Sequence, residues 1–337
     1  MGTDIIADLK ARASRNIQTV VLPESEDKRT FLAAAQVAQE GFAKLVIIGA
    51  EEVAAKMTSE LKVKLPGVEI VDPARASFRG ELVDYVVERR KAKGITREDA
   101  EKMLNEHIAF AAAMVATGRA GGYVSGASHT TADTLRPALQ LIGCAPGVKT
   151  VSSYFVMVSP LKEFGDDGIL FYADSGLVPD PNPEQLAEIA VMTARTAKTV
   201  YGFEPRVAML SFSTKGSAQH PIVDKVIKAT EIAKNMAPDI MLDGELQADA
   251  ALVPDIGARK APKSPVAGKA NVLIFPDLNA GNICYKITER LGSAQAFGPL
   301  VQGLARPAND LSRGCSASDI VGVIAVTAVV AGSQQRV

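Results

Sequence analysis

Residues 19–50 read TVVLPESEDKRTFLAAAQVAQEGFAKLVIIGA. Two apolar runs, 19–22 and 44–48, flank a segment whose apolar residues Phe31, Ala35 and Ala38 recur at helical spacing, so the stretch reads strand, helix, strand. Ser25 is read as the N-cap, followed by acids in the first turn, and Gly41 as the residue that ends the helix. Two strands joined through a helix favour parallel pairing with a right-handed crossover. The pattern continues outward. VEIVD at 68–72 is a further strand, followed by a helix from about Phe78 to Ala92 and helical stretches over about 97–118. GGYVSGASHTTADTLRPALQLIG at 121–143 then gives strand, loop and helix. This part of the chain is predicted to be a doubly wound α/β half.

After GCAPGVKT the pattern changes. TVSSYFVMVS (150–159) and GILFYAD (168–174) are apolar runs joined by the turn PLKEFGDDG, as in a hairpin. A second module is therefore expected to start near Gly147. Pro183 opens a helix whose apolar positions 186, 189, 190, 194 and 197 follow a 3.6-residue period. Strand RVAMLSFS, helix 221–236, strands near 240 and 272, and helix 280–291 complete a second α/β set, with APKSPVAGK as a surface loop. The chain shows no internal repeat and no low-complexity tract.

At 337 residues the chain exceeds the size at which one core keeps growing, which also favours two domains. Its 37 Lys and Arg against 38 Asp and Glu leave a net charge of −1, so no global field draws it to nucleic acid or to a membrane. Any anion site must be local. Cys144, Cys284 and Cys315 are odd in number and widely spaced, without zinc-ligand spacing, which suits a reducing, cytoplasmic setting. The opening MGTDIIADLKARASRN reads as an amphipathic helix and not as a signal peptide. The longest apolar run, Ile320 to Ala331, falls short of the ~20 residues a membrane span needs and is read as a buried helix.

Chemistry concentrates just before that helix, in ANDLSRGCSASDIVG at 308–322. Ser316 and Asp319 have capping-box spacing. A capped helix does not account for Arg313, because a cation near a helix N-terminus opposes the macrodipole. Backbone N–H groups of Gly314 to Ser316 plus a guanidinium form a site suited to phosphate or an acyl phosphate. Ser312 adds a hydroxyl, and Asp319 a carboxylate for proton abstraction, although a first-turn position weakens it as a base. Cys315 reads either as a nucleophile whose thiolate the helix start and Arg313 would stabilise, or as a small buried residue. His107, His129 and His220 all lie far from it in sequence.

SGASHTTADTLRP at 125–137 follows a strand and opens a helix, where α/β sheets bind ligands. Within it, His129 reads as a base or as a hydrogen-bonded loop residue, and Arg136 as a ligand contact or a surface cation. SFSTKGSAQH at 211–220 is also hydroxyl-rich but is not a P-loop. RRKAKG at 89–94 is a basic helix end, favoured by the dipole in any case. Asp239 and Asp243 in PDIMLDGELQADAA could share a helical face for a metal, although Pro238 and Gly244 argue against a continuous helix there. No GxGxxG follows a strand, so a dinucleotide fingerprint is missing.

Taken together, SGASHTTADTLRPALQ, SFSTKGSA, DGELQADAA, FPDLNAGNICYKITERLG and PANDLSRGCSASDIV resemble the phosphate acetyltransferase (phosphotransacetylase) family in its short form. The resemblance runs over nearly the whole chain, with five motifs in order. It implies two α/β domains facing across a cleft, like the isocitrate and isopropylmalate dehydrogenases, with residues 1–146 plus 306–337 in the first and 147–305 in the second. It implies a homodimer and a reversible transfer between acetyl-CoA plus phosphate and acetyl phosphate plus CoA, in a ternary complex without an acyl-enzyme. Asp319 would take the CoA thiol proton, Arg313 would hold the acetyl phosphate, and Ser312 would hydrogen-bond the reacting groups. Cys315 would be a bystander. Arg90 and Arg136 match CoA contacts and Arg290 is a weaker match, with Ser128, Thr130 and Thr131 completing the expected substrate-binding set. No metal and no tightly bound cofactor is implied; CoA, acetyl-CoA, acetyl phosphate and phosphate are substrates. The alternatives are propionyl or butyryl transfer, an NAD-dependent decarboxylating dehydrogenase of the related fold, and a non-catalytic acyl-CoA-sensing module, against which an intact Ser312, Arg313 and Asp319 set speaks.

Overall fold

The computed structural model describes residues 5–334. It divides into two compact units, one made of Gly147–Gly303 and the other of the described residues up to Pro146 and from Leu304 onward.

In the discontinuous unit the five strands are β1 (Thr19–Leu22), β2 (Lys44–Ile48), β3 (Glu69–Val71), β4 (Gly122–Ser125) and, from the far end of the chain, a short strand Ala308–Asp310. They form one sheet in which every pairing is parallel. Strands β1 and β2 are almost wholly buried, as sheets covered on both faces require. The connecting helix runs Lys28–Glu40. Its N-cap is Asp27, whose carboxylate accepts from the Arg29 N–H at 2.8 Å, and not Ser25 as the sequence suggested. Ser25 is buried against Gly49. Ser25 and Glu26 instead belong to a loop that carries Glu24 inward. The C-terminal end is as expected: Gly41 takes φ 72° and donates to Val37 O at 2.8 Å. The helical stretch over 97–118 is broken into Arg97–Met103 and His107–Ala116. The last helix, Ala317–Gln334, packs against the helices Ile5–Ala13 and Lys28–Glu40 and against β1 and β4 of this same unit. Apolar residues all round a helix are explained by such burial. Asn309 and Thr327 tie it to the Ala308–Asp310 strand by a buried 2.8 Å hydrogen bond. Among the described residues no helix is long and apolar enough to cross a membrane.

The continuous unit holds β5 (Ser152–Val158), β6 (Ile169–Ala173), β7 (Arg206–Leu210), β8 (Met241–Leu246), β9 (Val272–Ile274) and β10 (Gln295–Gln302); the Ala308–Asp310 strand of the other unit is β11. The sheet order is β10-β5-β6-β9-β7-β8, with the β5/β6 hairpin and β10 antiparallel and the rest parallel. The helix Pro183–Thr199 starts in a capping box made by Asn182 and Gln185 and buries Leu186, Ile189, Ala190, Ala194 and Ala197, the positions its period marked. Asp243 lies on β8, so Asp239 and Asp243 share no helical face, and the metal reading of that pair falls. Instead Asp243 pairs with Lys215 at 2.7 Å and Lys234 at 2.8 Å. Burial alone would push its carboxyl up; the two ammoniums hold it down at about 2.

Candidate active site

In the discontinuous unit the sheet order is β11-β4-β1-β2-β3. The chain leaves β1 in one direction through β2 and β3, then returns to the other side of β1 through β4 and β11. Ligands bind at such a reversal, beyond the C-terminal strand ends. Three loops emerge there side by side: residues 23–27 after β1, 126–130 after β4, and 311–316 after β11.

Glu24, 2% exposed, joins the first two. Its Oε2 accepts from the N–H groups of Gly126 (3.0 Å) and Ala127 (2.9 Å). Its Oε1 accepts from Ser128 N (3.0 Å), Ser128 Oγ (3.0 Å) and His129 N (3.1 Å), with His129 Nδ1 at 2.9 Å. Burial works to raise the carboxyl, but the bonds from Ser128, His129, Ala127 and Gly126 together hold it below the ordinary carboxylate range. Gly126 needs to be glycine: its φ is +109°, and a Cβ would stand 2.6 Å from Leu311 N.

Asp310 closes the second contact, between the loops after β4 and β11. It is 2% exposed, accepts from Thr131 Oγ1 at 2.6 Å through Oδ2, and its Oδ1 has no hydrogen-bond partner among the described residues. Burial pushes its carboxyl up to about 6, with the Glu24 charge adding to the effect and the Thr131 bond opposing it.

The loop after β11 ends in the reciprocal pair the sequence suggested. Asp319 Oδ2 accepts from Ser316 N (2.7 Å) and Ser316 Oγ (2.9 Å), and Ser316 Oγ accepts from Asp319 N at 3.2 Å. Asp319 is exposed, and among the described residues its hydrogen bonds fall on Oδ2 and none on Oδ1. Ser312 Oγ accepts from Gly314 N at 3.3 Å, which leaves its own O–H free to donate. The Arg313 guanidinium is exposed and makes no hydrogen bond or ion pair among the described residues, while its carbonyl accepts from Arg29 Nη1 at 2.8 Å. Cys315 is buried. Burial pushes its thiol up to about 11; Arg29 opposes this, and the charges of Asp319, Asp27 and Glu24 add to it. Such a thiol is a poor nucleophile at neutral pH.

The remaining sequence candidates are placed as follows. Ser128 and Thr130 stand on the loop after β4 and Thr131 opens the helix that follows it, and each hydroxyl proton already has an acceptor: Glu24 or Glu26, Asp133, and Asp310. These side chains build the loop. Arg136 is exposed in the last turn of the helix Thr131–Pro137 and lines a cavity of about 760 Å³ together with Glu26, His107, His129, Asp133 and Gln140. Arg90 is half-buried at the end of the helix Arg79–Arg90, without a side-chain partner among the described residues. Arg290 belongs to the continuous unit, exposed beside Glu289 at 3.6 Å. Among the described residues, Glu24, Glu26 and His129 offer ligand atoms within 4.8 Å of one another and could hold a cation. Both Glu24 oxygens are already engaged by N–H donors, which makes them weak ligands.

Sequence reasoning missed Glu24, Arg29 and Asp310. Glu24 and Arg29 sit in a run of charges that reads as ordinary helix-start chemistry, and apart from Asp27 their partners lie about a hundred or more residues away. The one signal was Pro23, which separates Glu24 from the strand before it.

A family model described as phosphate acetyl/butaryl transferase matches residues 4–328. The phosphate acetyltransferase of Thermoanaerobacterium thermosaccharolyticum is 53% identical over 325 residues, 96% of this chain and 98% of that one. A phosphotransacetylase structure from Streptococcus pyogenes aligns with a TM-score of 0.92 at 45% identity, over 97% of this chain and 98% of that one. A Salmonella typhimurium structure described as a 4-hydroxythreonine-4-phosphate dehydrogenase aligns with a TM-score of 0.50 at 12% identity, over 95% and 99%; this shows shared fold alone.

Proposed function

Because this chain belongs to the phosphate acetyl/butaryl transferase family, we propose that the loops after β1, β4 and β11 form its active site. The protein is an acyltransferase that moves an acetyl group reversibly between CoA and phosphate. The observation that carries the assignment of residues is the Arg313 guanidinium, exposed and without a partner among the described residues, beside a helix start whose capping carboxylate uses only one oxygen for the cap.

In the direction of acetyl-CoA synthesis, Asp319 Oδ1 takes the proton of the CoA thiol. The sulfur forms a bond to the acetyl carbonyl carbon, the carbon–oxygen bond to phosphate breaks, and that electron pair leaves on the phosphate oxygen. Arg313 neutralises the charge gathering on the phosphate, and Ser312 donates from Oγ to the reacting group. Acetyl phosphate is already activated, so alignment and charge stabilisation suffice without a covalent nucleophile or a tightly bound cofactor. The raised Cys315 thiol supports the direct route. Arg136 and Arg90 take the phosphates of CoA, with the cavity beside Arg136 as the receiving space.

The active form is a homodimer. Ile283, Ile287 and Leu291 are exposed at helical spacing along and just beyond Leu278–Arg290, an apolar stripe that a second copy would cover. The three free cysteines support a reducing, cytoplasmic setting.

The test is thioester formation from CoA with acetyl, propionyl and butyryl phosphate, followed by ultraviolet absorbance. Acetyl phosphate should give the highest kcat/KM, and Arg313→Ala should lower kcat by about 10²–10³-fold at saturating CoA. No thioester with any donor, or full turnover in Arg313→Ala, would overturn the assignment.

A further inference from the structure

We infer that Arg29 is a positioning residue for acetyl transfer: through two peptide planes of the loop after β11 it sets the directions of Ser312 and Asp319. The inference rests on the reading of those residues given above.

A guanidinium has five N–H donors and no acceptor. In Arg29 all five are used. Nε and one Nη2 hydrogen go to the two oxygens of Asp27, at 3.0 and 2.6 Å. The other Nη2 hydrogen goes to Ala127 O at 2.7 Å. Nη1 takes Arg313 O and Cys315 O, both at 2.8 Å. No donor remains for a substrate, so Arg29 acts on the chemistry only through what it holds. Arg313 is the opposite case, with its carbonyl held by Arg29 and its own guanidinium unengaged.

What Arg29 holds follows from peptide planarity. In a trans peptide the C=O and the following N–H point in opposite directions. Fixing the Arg313 carbonyl therefore aims the Gly314 N–H the other way, and fixing the Cys315 carbonyl does the same for the Ser316 N–H. Those two N–H groups bond Ser312 Oγ (3.3 Å) and Asp319 Oδ2 (2.7 Å). One side chain thus orients, from behind the loop, the hydroxyl and the carboxylate assigned to the reaction. The Ala127 carbonyl brings the loop after β4 into the same clasp. Asp27, which caps the helix that carries Arg29, fixes the guanidinium plane through a two-pronged pair. Lysine cannot substitute, since a single ammonium has three donors and no fork.

The experiment measures kcat and KM for CoA in wild type, Arg29→Lys and Arg29→Ala, with circular dichroism and melting midpoints as checks on folding. Misplacement by about 1 Å costs up to about 10²-fold in rate, so Arg29→Lys should lose about 10- to 100-fold in kcat, with KM for CoA changing less than about threefold. Guanidinium ion added at tens of millimolar, roughly, should restore part of the kcat of Arg29→Ala and none of that of Arg313→Lys, because only the first leaves a fork-shaped vacancy bounded by fixed acceptors. Folded Arg29 variants with wild-type kcat, or a kcat loss that only tracks the unfolded fraction and is not rescued, would overturn the inference while leaving the reaction in place. A wild-type protein that forms no thioester would overturn both.

Discussion

Replacing Glu24 by glutamine keeps the side chain's size and removes one acceptor oxygen. If the amide carbonyl takes the Oε1 position, it still serves Ser128 and His129, and the NH₂ group faces the N–H groups of Gly126 and Ala127. Two buried donors then lose their acceptor. At roughly 1–3 kcal/mol for each orphaned buried group the change should cost about 2–6 kcal/mol, a large share of the ~5–15 kcal/mol that holds a domain together. The opposite amide orientation strands more donors and costs more. The pH dependence has a definite sign. A carboxyl held below its ordinary value stabilises the fold fully above the unfolded pKa of about 4.3, and the contribution is lost as pH falls through the lower folded value. Equilibrium urea denaturation of wild type and Glu24→Gln should therefore show the full gap at pH 7 and a narrower one below about pH 4. A variant within about 0.5 kcal/mol of wild type at pH 7, or a gap that widens on acidification, would refute the view that Glu24 holds the loop after β4.

Other substitutions test other parts of the site. Asp310 has the opposite sign: its folded pKa of about 6 lies above the unfolded value, so wild-type stability should fall as pH rises from about 4 through 6. Asp310→Asn should lack that slope and be the more stable protein at pH 8, by up to ~3 kcal/mol; melting curves that stay parallel at pH 4.5 and 8, roughly, would contradict this. Cys315→Ala should keep most of its kcat, and complete loss in a folded variant would revive an acyl-enzyme. Arg136→Ala should chiefly raise KM for CoA, and an unchanged KM would remove Arg136 from the CoA site. Ile287→Glu should shift the protein from dimer to monomer in sedimentation, and an unshifted dimer would mean that another surface is used.

What could be read in the sequence was local. The strand–helix–strand unit at 19–50 shows itself because its period and its Gly41 end signal lie within one stretch. The Ser316/Asp319 pair shows itself because a capping box needs only three residues of spacing. β11 did not, because Ala308–Asp310 has no apolar run of its own and becomes a strand by pairing with β4, some 180 residues earlier, roughly. Its last residue, Asp310, was given no role for the same reason, and it is buried. The shift of the N-cap from Ser25 to Asp27 has the same origin. Local chemistry permits either residue, and the choice is made by Glu24, whose backbone donors come from the loop after β4. For Asp239 and Asp243 the doubt raised by Pro238 and Gly244 was the better guide, since four residues is a helical interval only if the backbone between them is helical, and Asp243 lies on a strand.

The claim at the centre of this account is that the acetyl group passes straight from a phosphate oxygen to the CoA sulfur, across loops that Arg313 and Asp319 serve. The most direct measurement is the exchange of radiolabelled phosphate into acetyl phosphate with and without CoA. Direct transfer predicts exchange only when CoA is present, because the phosphate bond breaks only under attack by the thiolate. Exchange in the absence of CoA would require an acetylated enzyme and would contradict the account.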